Sequence, residues 1–398
     1  MRVLKTVQSY YPFQERGGTV FKVRALARSL AHRGHRISVL TADLGLNRHS
    51  EKNFHVEHCP WGWRAEQDGV EAIYLPTFGH FRALTINPGL MKFCEESLSQ
   101  YDLVHFYGLY DLLGPAVSHF CRRAGVPYVI EPMGMYRPID RSFRLKRIWH
   151  RIFGRSYVKH AAKIVATSEM EQQDLLAEGV AAEKIIIRYN GVEIDRSGAS
   201  SRGNFRAKWA IPPDDTLIFF LSRLIPRKGA DILIQAFSQV CPQNGTLVIA
   251  GPEGETGYVN YLKKCAEENR VANRVLFTGP LYDSEKAAAY TDSDIFVLAS
   301  YYENFANVVA EAVAYDIPVI VSNRCGIHSL VDGRAGLVIS VDRESLAAAL
   351  RRLLVDKVLY AQLKAGCCQV AAELTWGTIS GQMENYYAQV LARPGQIQ

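Results

Sequence analysis

The chain has 398 residues, 48% hydrophobic and 22% charged, with a formal net charge of +6. This is the composition of a folded globular protein, and the length alone predicts two or three domains. No run of eighteen apolar residues exists, which argues against a membrane span, and the eight cysteines are scattered with neither metal-ligand nor disulfide-scaffold spacing.

The first segment, "RVLKTVQ", reads as a β-strand rather than a signal peptide. With the unpatterned cysteines it predicts a reduced, cytoplasmic compartment. Next comes "QERGGTVFKV", whose Gly17-Gly18 pair opens a helix with Val20, Val23, Leu26, Ala27 and Leu30 on one face. That position after the first strand is where a doubly wound domain binds phosphate; a simple tight turn is the competing reading. "RISVLTA", "EAIYLP", "DLVHFYG", "PYVIEP", "KIVATS" and "KIIIRYN" follow as further strands, most of them separated by helical patterns. The βαβα rhythm predicts a parallel sheet covered by helices.

Between the fifth and sixth of these runs, Arg137 to Lys163 holds nine basic residues and one acidic residue. Leu145, Ile148, Trp149, Ile152 and Phe153 repeat at helical spacing. Two readings stay open: an interfacial helix on anionic lipid, giving peripheral attachment at the inner face of the cell membrane, or a domain helix with a solvated cationic face. Nucleic acid fits less well, since no known binding module is present.

Around residues 190–215 the rhythm breaks, opening with the polar, Gly/Ser-rich "NGVEIDRSGASSRGNF", and the two halves join near residues 190–200. It restarts with "TLIFFLS", "TLVIAG", "RVLFTG", "DIFVLAS", "PVIVS" and "AGLVIS". This predicts an α/β architecture of two doubly wound Rossmann-like domains facing a cleft, residues 1–192 and 193–375, with a C-terminal helix in 376–398 packing back on the first. Residues 1–192 hold 26 basic against 18 acidic side chains, and the remainder 20 against 22, so the two domains are expected to meet different partners.

In the second half, "FLSRLIPRKGADILIQAF" sets Arg223, Arg227 and Lys228 between a strand and a helix, cations suited to a diphosphate. "YYENFANVVAEA" sets Glu303 after "DIFVLAS" and before a helix predicted to start near Asn304. Its free N–H groups, at Asn304, Phe305, Ala306 and Asn307, form an anion site. Glu311 would lie about 12 Å further along. Carboxylates at both ends of a phosphate site suit a sugar nucleotide, with hydroxyls on its hexose and on its ribose. A helix-start carboxylate plus a solvated one is the plainer alternative. Asp292-x-Asp294 in "TDSD" imitates a metal motif but directly precedes a strand, so Asp294 is read as a cap or turn residue.

Together these motifs resemble the family 4 glycosyltransferases, retaining enzymes of the GT-B fold. Glu303-x7-Glu311, "SRLIPRKG", "DIPVIVS" and the Gly17-Gly18 loop carry the resemblance, which spans nearly the whole chain. It implies a retaining hexosyltransferase using a nucleotide diphosphate sugar, UDP or GDP, with no metal or other cofactor. The acceptor would be a glycan or glycolipid in polysaccharide, lipopolysaccharide or glycolipid synthesis. It implies that Glu303 contacts the donor sugar, Glu311 holds the ribose, and Arg223 and Lys228 neutralise the diphosphate. Gly17 and Gly18 would close over phosphate and acceptor, His105 would stand near the transferred sugar, and Leu281 would meet the base. A packed strand-end histidine is the plain alternative for His105. Ala306 and Asp316 stand where the family commonly has Gly, and Ser329 where many members have Glu. An epimerase or phosphorylase of similar fold, or an inactive sugar-nucleotide-binding subunit, are the competing functions.

Overall fold

Short apolar runs pair as parallel strands when amphipathic helices connect them, and this chain does so twice. The computed structural model describes residues 1–12, 18–43, 56–81, 84–137, 148–193, 202–240 and 244–392. It divides into Met1–Gly191 with Trp376–Gln398, and Val192–Thr375.

In the first unit the order is β1 (Arg2–Thr6), α1 (Gly18–His32), β2 (Arg36–Ala42), β3 (Glu57–Cys59), β4 (Gly62–Gln67), β5 (Val70–Leu75), β6 (Gly79–Phe81), β7 (Leu84–Ile86) and α2 (Gly89–Ser97). It continues with β8 (Leu103–Tyr107), α3 (Leu113–Ala124), β9 (Tyr128–Glu131), a π-helical turn (His150–Gly154), α4 (Arg155–Lys159), β10 (Lys163–Ala166), α5 (Glu169–Ala177) and β11 (Ile185–Ile187). Nine strands form one sheet in the order β11-β10-β9-β8-β1-β2-β5-β4-β3. The last two joints, β5–β4 and β4–β3, are antiparallel. Two apolar layers cover the sheet, one around Phe93, Phe106, Val117 and Ile164, the other around Val23, Leu26, Leu30 and Val129.

The second unit runs α6 (Asn204–Lys208), β12 (Thr216–Leu221), α7 (Ala230–Val240), β13 (Gly245–Ala250), α8 (Tyr258–Glu268), β14 (Val275–Gly279), α9 (Asp283–Asp292), β15 (Ile295–Leu298) and α10 (Asn307–Ala314). β16 (Val319–Ser322), α11 (His328–Val331), β17 (Gly336–Ile339), α12 (Arg343–Val355) and α13 (Lys357–Glu373) complete it. Its six strands are all parallel, in the order β14-β13-β12-β15-β16-β17. The strand order turns back between β12 and β15, the switch point at which such sheets bind ligands.

The final helix, α14 (Trp376–Leu391), belongs to the first unit. Ile379, Met383, Tyr387 and Val390 line one of its faces and join the layer containing Val23 and Leu26 of α1. Gly191 makes the return possible: a Cβ there would stand 2.4 Å from the Trp376 indole.

Candidate functional site

β12 and β15 are hydrogen-bonded neighbours, so the loops leaving their carboxyl ends are adjacent. The first passes through a 3-10 turn, Pro226–Lys228, into Gly229. Gly229 has φ +71°, and a Cβ on it would lie 2.2 Å from the Ala299 carbonyl, so only glycine lets the basic loop close on the end of β15. The two loops are then tied together. Tyr301 N–H donates to the Arg227 carbonyl at 2.9 Å, and the Ser300 hydroxyl donates to the same oxygen at 3.0 Å. Lys228, only 7% exposed, ion-pairs with the Glu303 carboxylate.

Glu303 itself is held in extended backbone. Its N–H donates to the Arg324 carbonyl and its carbonyl accepts from Gly326 N–H, both at 2.9 Å. The helix therefore begins at Asn307 and not near Asn304, and the 12 Å axial separation inferred for the two glutamates does not apply. Ala306 stops the helix from extending backwards: it has φ +81° and ψ +68°, a left-handed conformation. Phe305 and Ala306 are buried, while Asn307 is exposed at the helix tip. Asp316, just past α10, is also left-handed, with φ +60°.

Glu311 lies inside α10 and is held from α9. Lys286 Nζ is 2.8 Å from its carboxylate, and the buried Tyr290 hydroxyl donates to Oε2 at 2.8 Å. Tyr290 stacks on Tyr315 with ring centroids 5.3 Å apart. Arg223 is exposed at the start of the basic loop; its carbonyl accepts from the Ile225 N–H at 3.1 Å, and its guanidinium has no hydrogen bond to a described residue. Leu281 is buried two residues beyond β14, and Tyr282 beside it is exposed. Asp292 and Asp294 are structural. Asp292 accepts from the N–H groups of Gly203 and Arg206, and Asp294 takes Arg202, Arg206 and the Leu217 N–H.

In the first unit the strands carry a layered face. Val3, Leu103, Val129 and Ile186 belong to one apolar layer, and two residues on from each stands Lys5, His105, Glu131 or Arg188, all fully buried. Lys22 of α1 and Arg188 both ion-pair with Glu131. Burial pushes the Glu131 carboxyl up, but Arg188 and Lys22 outweigh it and hold it well below its usual range. Burial pulls Lys22 down to about 8 against the opposing pull of Glu131. His105 Nδ1 is 2.6 Å from the Tyr387 hydroxyl of α14, and Nε2 faces Glu131 at 3.6 Å. Burial lowers His105 to about 3.

The placement expected for His105 beside a transferred sugar is thereby corrected. Its ring is 0% exposed and hemmed in by Tyr387, Tyr107 and Glu131, so no substrate touches it in this arrangement. Gly18 is the first residue of α1, and Gly17 lies outside the described residues. Within the basic segment, 138–147 are also outside them; the part from 148 is a π-helical turn followed by α4 rather than one continuous α-helix. Ile148 and Phe153 there are exposed. Among the described residues no helix is long and apolar enough to cross a membrane.

Sequence reasoning missed Lys286, Tyr290, Glu131 as a charge hub, and Tyr387. The polar residue two places after each apolar strand residue was a usable signal for Lys5, Glu131 and Arg188. The contact of Lys286 and Tyr290 with Glu311 depends on tertiary packing between two helices and left no local trace.

Residues 17–191 match the family described as Glycosyl transferase 4-like domain, and residues 201–366 match Glycosyl transferases group 1. D-inositol 3-phosphate glycosyltransferase of Xylanimonas cellulosilytica is 28% identical over 394 residues, covering 95% of this chain and 93% of that protein. An uncharacterized glycosyltransferase of Methanocaldococcus jannaschii is 25% identical, with 87% of each chain covered. Among solved structures, Anabaena HepE in complex with UDP gives a TM-score of 0.77 at 21% identity, covering 98% of this chain and all of that one. Sucrose-phosphate synthase from Thermosynechococcus elongatus gives 0.72 at 22% identity, covering 98% and 99%. Likeness at these identities establishes the GT-B fold.

Proposed function

The chain belongs to the family 4-like, group 1 glycosyltransferases of the GT-B fold, and from that premise we propose that it transfers a hexose from a nucleotide diphosphate sugar to an acceptor hydroxyl with retention of anomeric configuration. The observation that carries this reading is the Lys228–Glu303 pair at the β12/β15 switch point, with α10 beginning four residues beyond Glu303. A diphosphate meets Lys228, Arg223 and the positive end of the α10 dipole. Glu303 accepts from hexose hydroxyls and Glu311 from those of the ribose. The base lies by Leu281. HepE has been solved with UDP and with UDP-glucose, which favours a uridine donor here. Acceptor recognition is assigned to the first unit, in which Gly18 opens α1.

The acceptor oxygen bonds to the anomeric carbon as the bond from that carbon to the diphosphate oxygen breaks. The acceptor proton passes to the leaving phosphate. Charge growing on the diphosphate is met by Lys228, Arg223 and the helix tip, a fixed set of dipoles and cations that needs no bound metal. A donor panel of UDP-, GDP- and ADP-sugars, followed by NMR of the glycosylated product, tests this. Retained configuration and undiminished turnover in chelator are expected. An inverted product, or no donor consumed from any nucleotide sugar, overturns it.

A further inference from the structure

A cavity of ≈ 510 Å³ lies in the first unit, between β7, α2, α3 and α4, on the sheet face opposite α1 and α14. Leu90, Leu112, Leu113, Pro115 and Ala116 give it an apolar wall, and Ile86 and Phe153 line it while remaining exposed. Its size falls in the range of small-molecule sites. Tyr157, 3% exposed, also lines it, and its hydroxyl has no hydrogen-bond partner among the described residues.

Among the described residues that line the cavity, Arg122 and His119 are basic and none is acidic; the buried Asp111, just before α3, is not one of them. Arg122 makes no ion pair with a described residue. α3, the π-helical turn and α4 also carry Arg123, Arg151 and Lys159 and no carboxylate, while the acids of α2, Glu95 and Glu96, do not line the cavity. Met91, next to the lining residue Leu90, and Ile148, just before the π-helical turn, are exposed apolar side chains on the same elements.

We propose that this cavity takes an acyl chain of an anionic bilayer lipid, with the lipid phosphate at Arg122. An apolar wall accepts methylenes, exposed Ile86 and Phe153 sit at the acyl–headgroup boundary, and an unpaired guanidinium matches a phosphate. Attachment is then a property of the first unit and independent of donor chemistry in the second.

Co-sedimentation at low salt, with phosphatidylcholine vesicles and with phosphatidylcholine–phosphatidylglycerol vesicles, tests the proposal on the full chain. Calorimetry with dodecyl phosphate and with inorganic phosphate separates chain burial from phosphate binding. The wild-type protein is expected to bind the anionic vesicles and to take up dodecyl phosphate saturably, but not inorganic phosphate. Ala116→Trp fills the cavity and should weaken both by roughly tenfold or more. Phe153→Asp, at an exposed position, should do the same and guards against misfolding of the first variant. Equal binding by wild type and both variants would show attraction by surface charge alone and overturn the proposal, as would no binding at all. Donor consumption in solution, measured in parallel, should be unchanged in both variants, so failure of the lipid site is distinguishable from failure of the transferase reading.

Discussion

Lys228 and Glu303 neutralise one another across the loops that leave two neighbouring strands, with the ammonium almost wholly buried. On the proposed donor pose, a diphosphate competes with Glu303 for that ammonium, while a hexose competes with Lys228 for that carboxylate. Glu303→Gln removes one side of the competition. UDP, which has no hexose, is expected to bind this variant at least as tightly as wild type, while transfer falls about 10²–10³-fold. Lys228→Met should weaken UDP binding and transfer together. Calorimetry with UDP and initial rates separate the two; a Glu303→Gln protein that loses UDP binding contradicts the assignment.

Glu311 is oriented before any ligand arrives, because Lys286 and Tyr290 fix both of its oxygens from α9. If it holds the ribose as proposed, an oriented carboxylate contributes equally to ground and transition states, so loosening it raises KM and leaves kcat nearly constant. Lys286→Met and Tyr290→Phe are expected to raise the donor KM several-fold, with the wild-type kcat retained. A fall in kcat at unchanged KM would place these residues in the chemical step instead.

Ala306 keeps a left-handed backbone at the entrance to α10, which costs an L-residue with a Cβ roughly 1–2 kcal/mol. Ala306→Gly removes that cost and adds unfolded-chain entropy, so urea denaturation should show a gain of up to about 1 kcal/mol. Ala306→Val cannot take this conformation without strain and should lose about 1–3 kcal/mol. If glycine destabilised the protein and valine did not, the backbone at 306 would not be strained as described.

The parts that were legible were those with a local period. The apolar face of α1, the strand β12 and the restart after residue 200 all follow from alternation of apolar runs with amphipathic helices. The hairpin β4–β5 was legible but unread: Asp68-Gly69 both have positive φ, 54° and 72°, as a two-residue hairpin turn demands. The late start of α10 was hidden because helix propensity says nothing about Glu303 being pinned to Arg324 and Gly326. His105 was misplaced for a related reason. A histidine near the end of a strand looks available in sequence, but Tyr107 and Glu131 from the sheet and Tyr387, 282 positions away in α14, close around it.

That enclosure makes His105 a source of acid sensitivity. Its pKa is lowered from 6.5 to about 3, first by burial and then by the Lys5 and Arg188 charges, against the opposing pull of Glu131. The folded state therefore keeps the ring neutral between pH 6.5 and 3, while the unfolded chain takes up a proton there. For a depressed pKa the stabilisation is complete above the unfolded value and is lost as pH falls toward the folded one. The slope is about 1.4 kcal/mol per pH unit for one proton. His105→Gln keeps an amide against Tyr387 and Glu131 but has nothing to titrate. Denaturant midpoints taken across this window should fall less steeply for His105→Gln than for wild type, the two curves converging as the pH drops. Parallel curves would mean that the imidazole already carries its proton inside the folded protein.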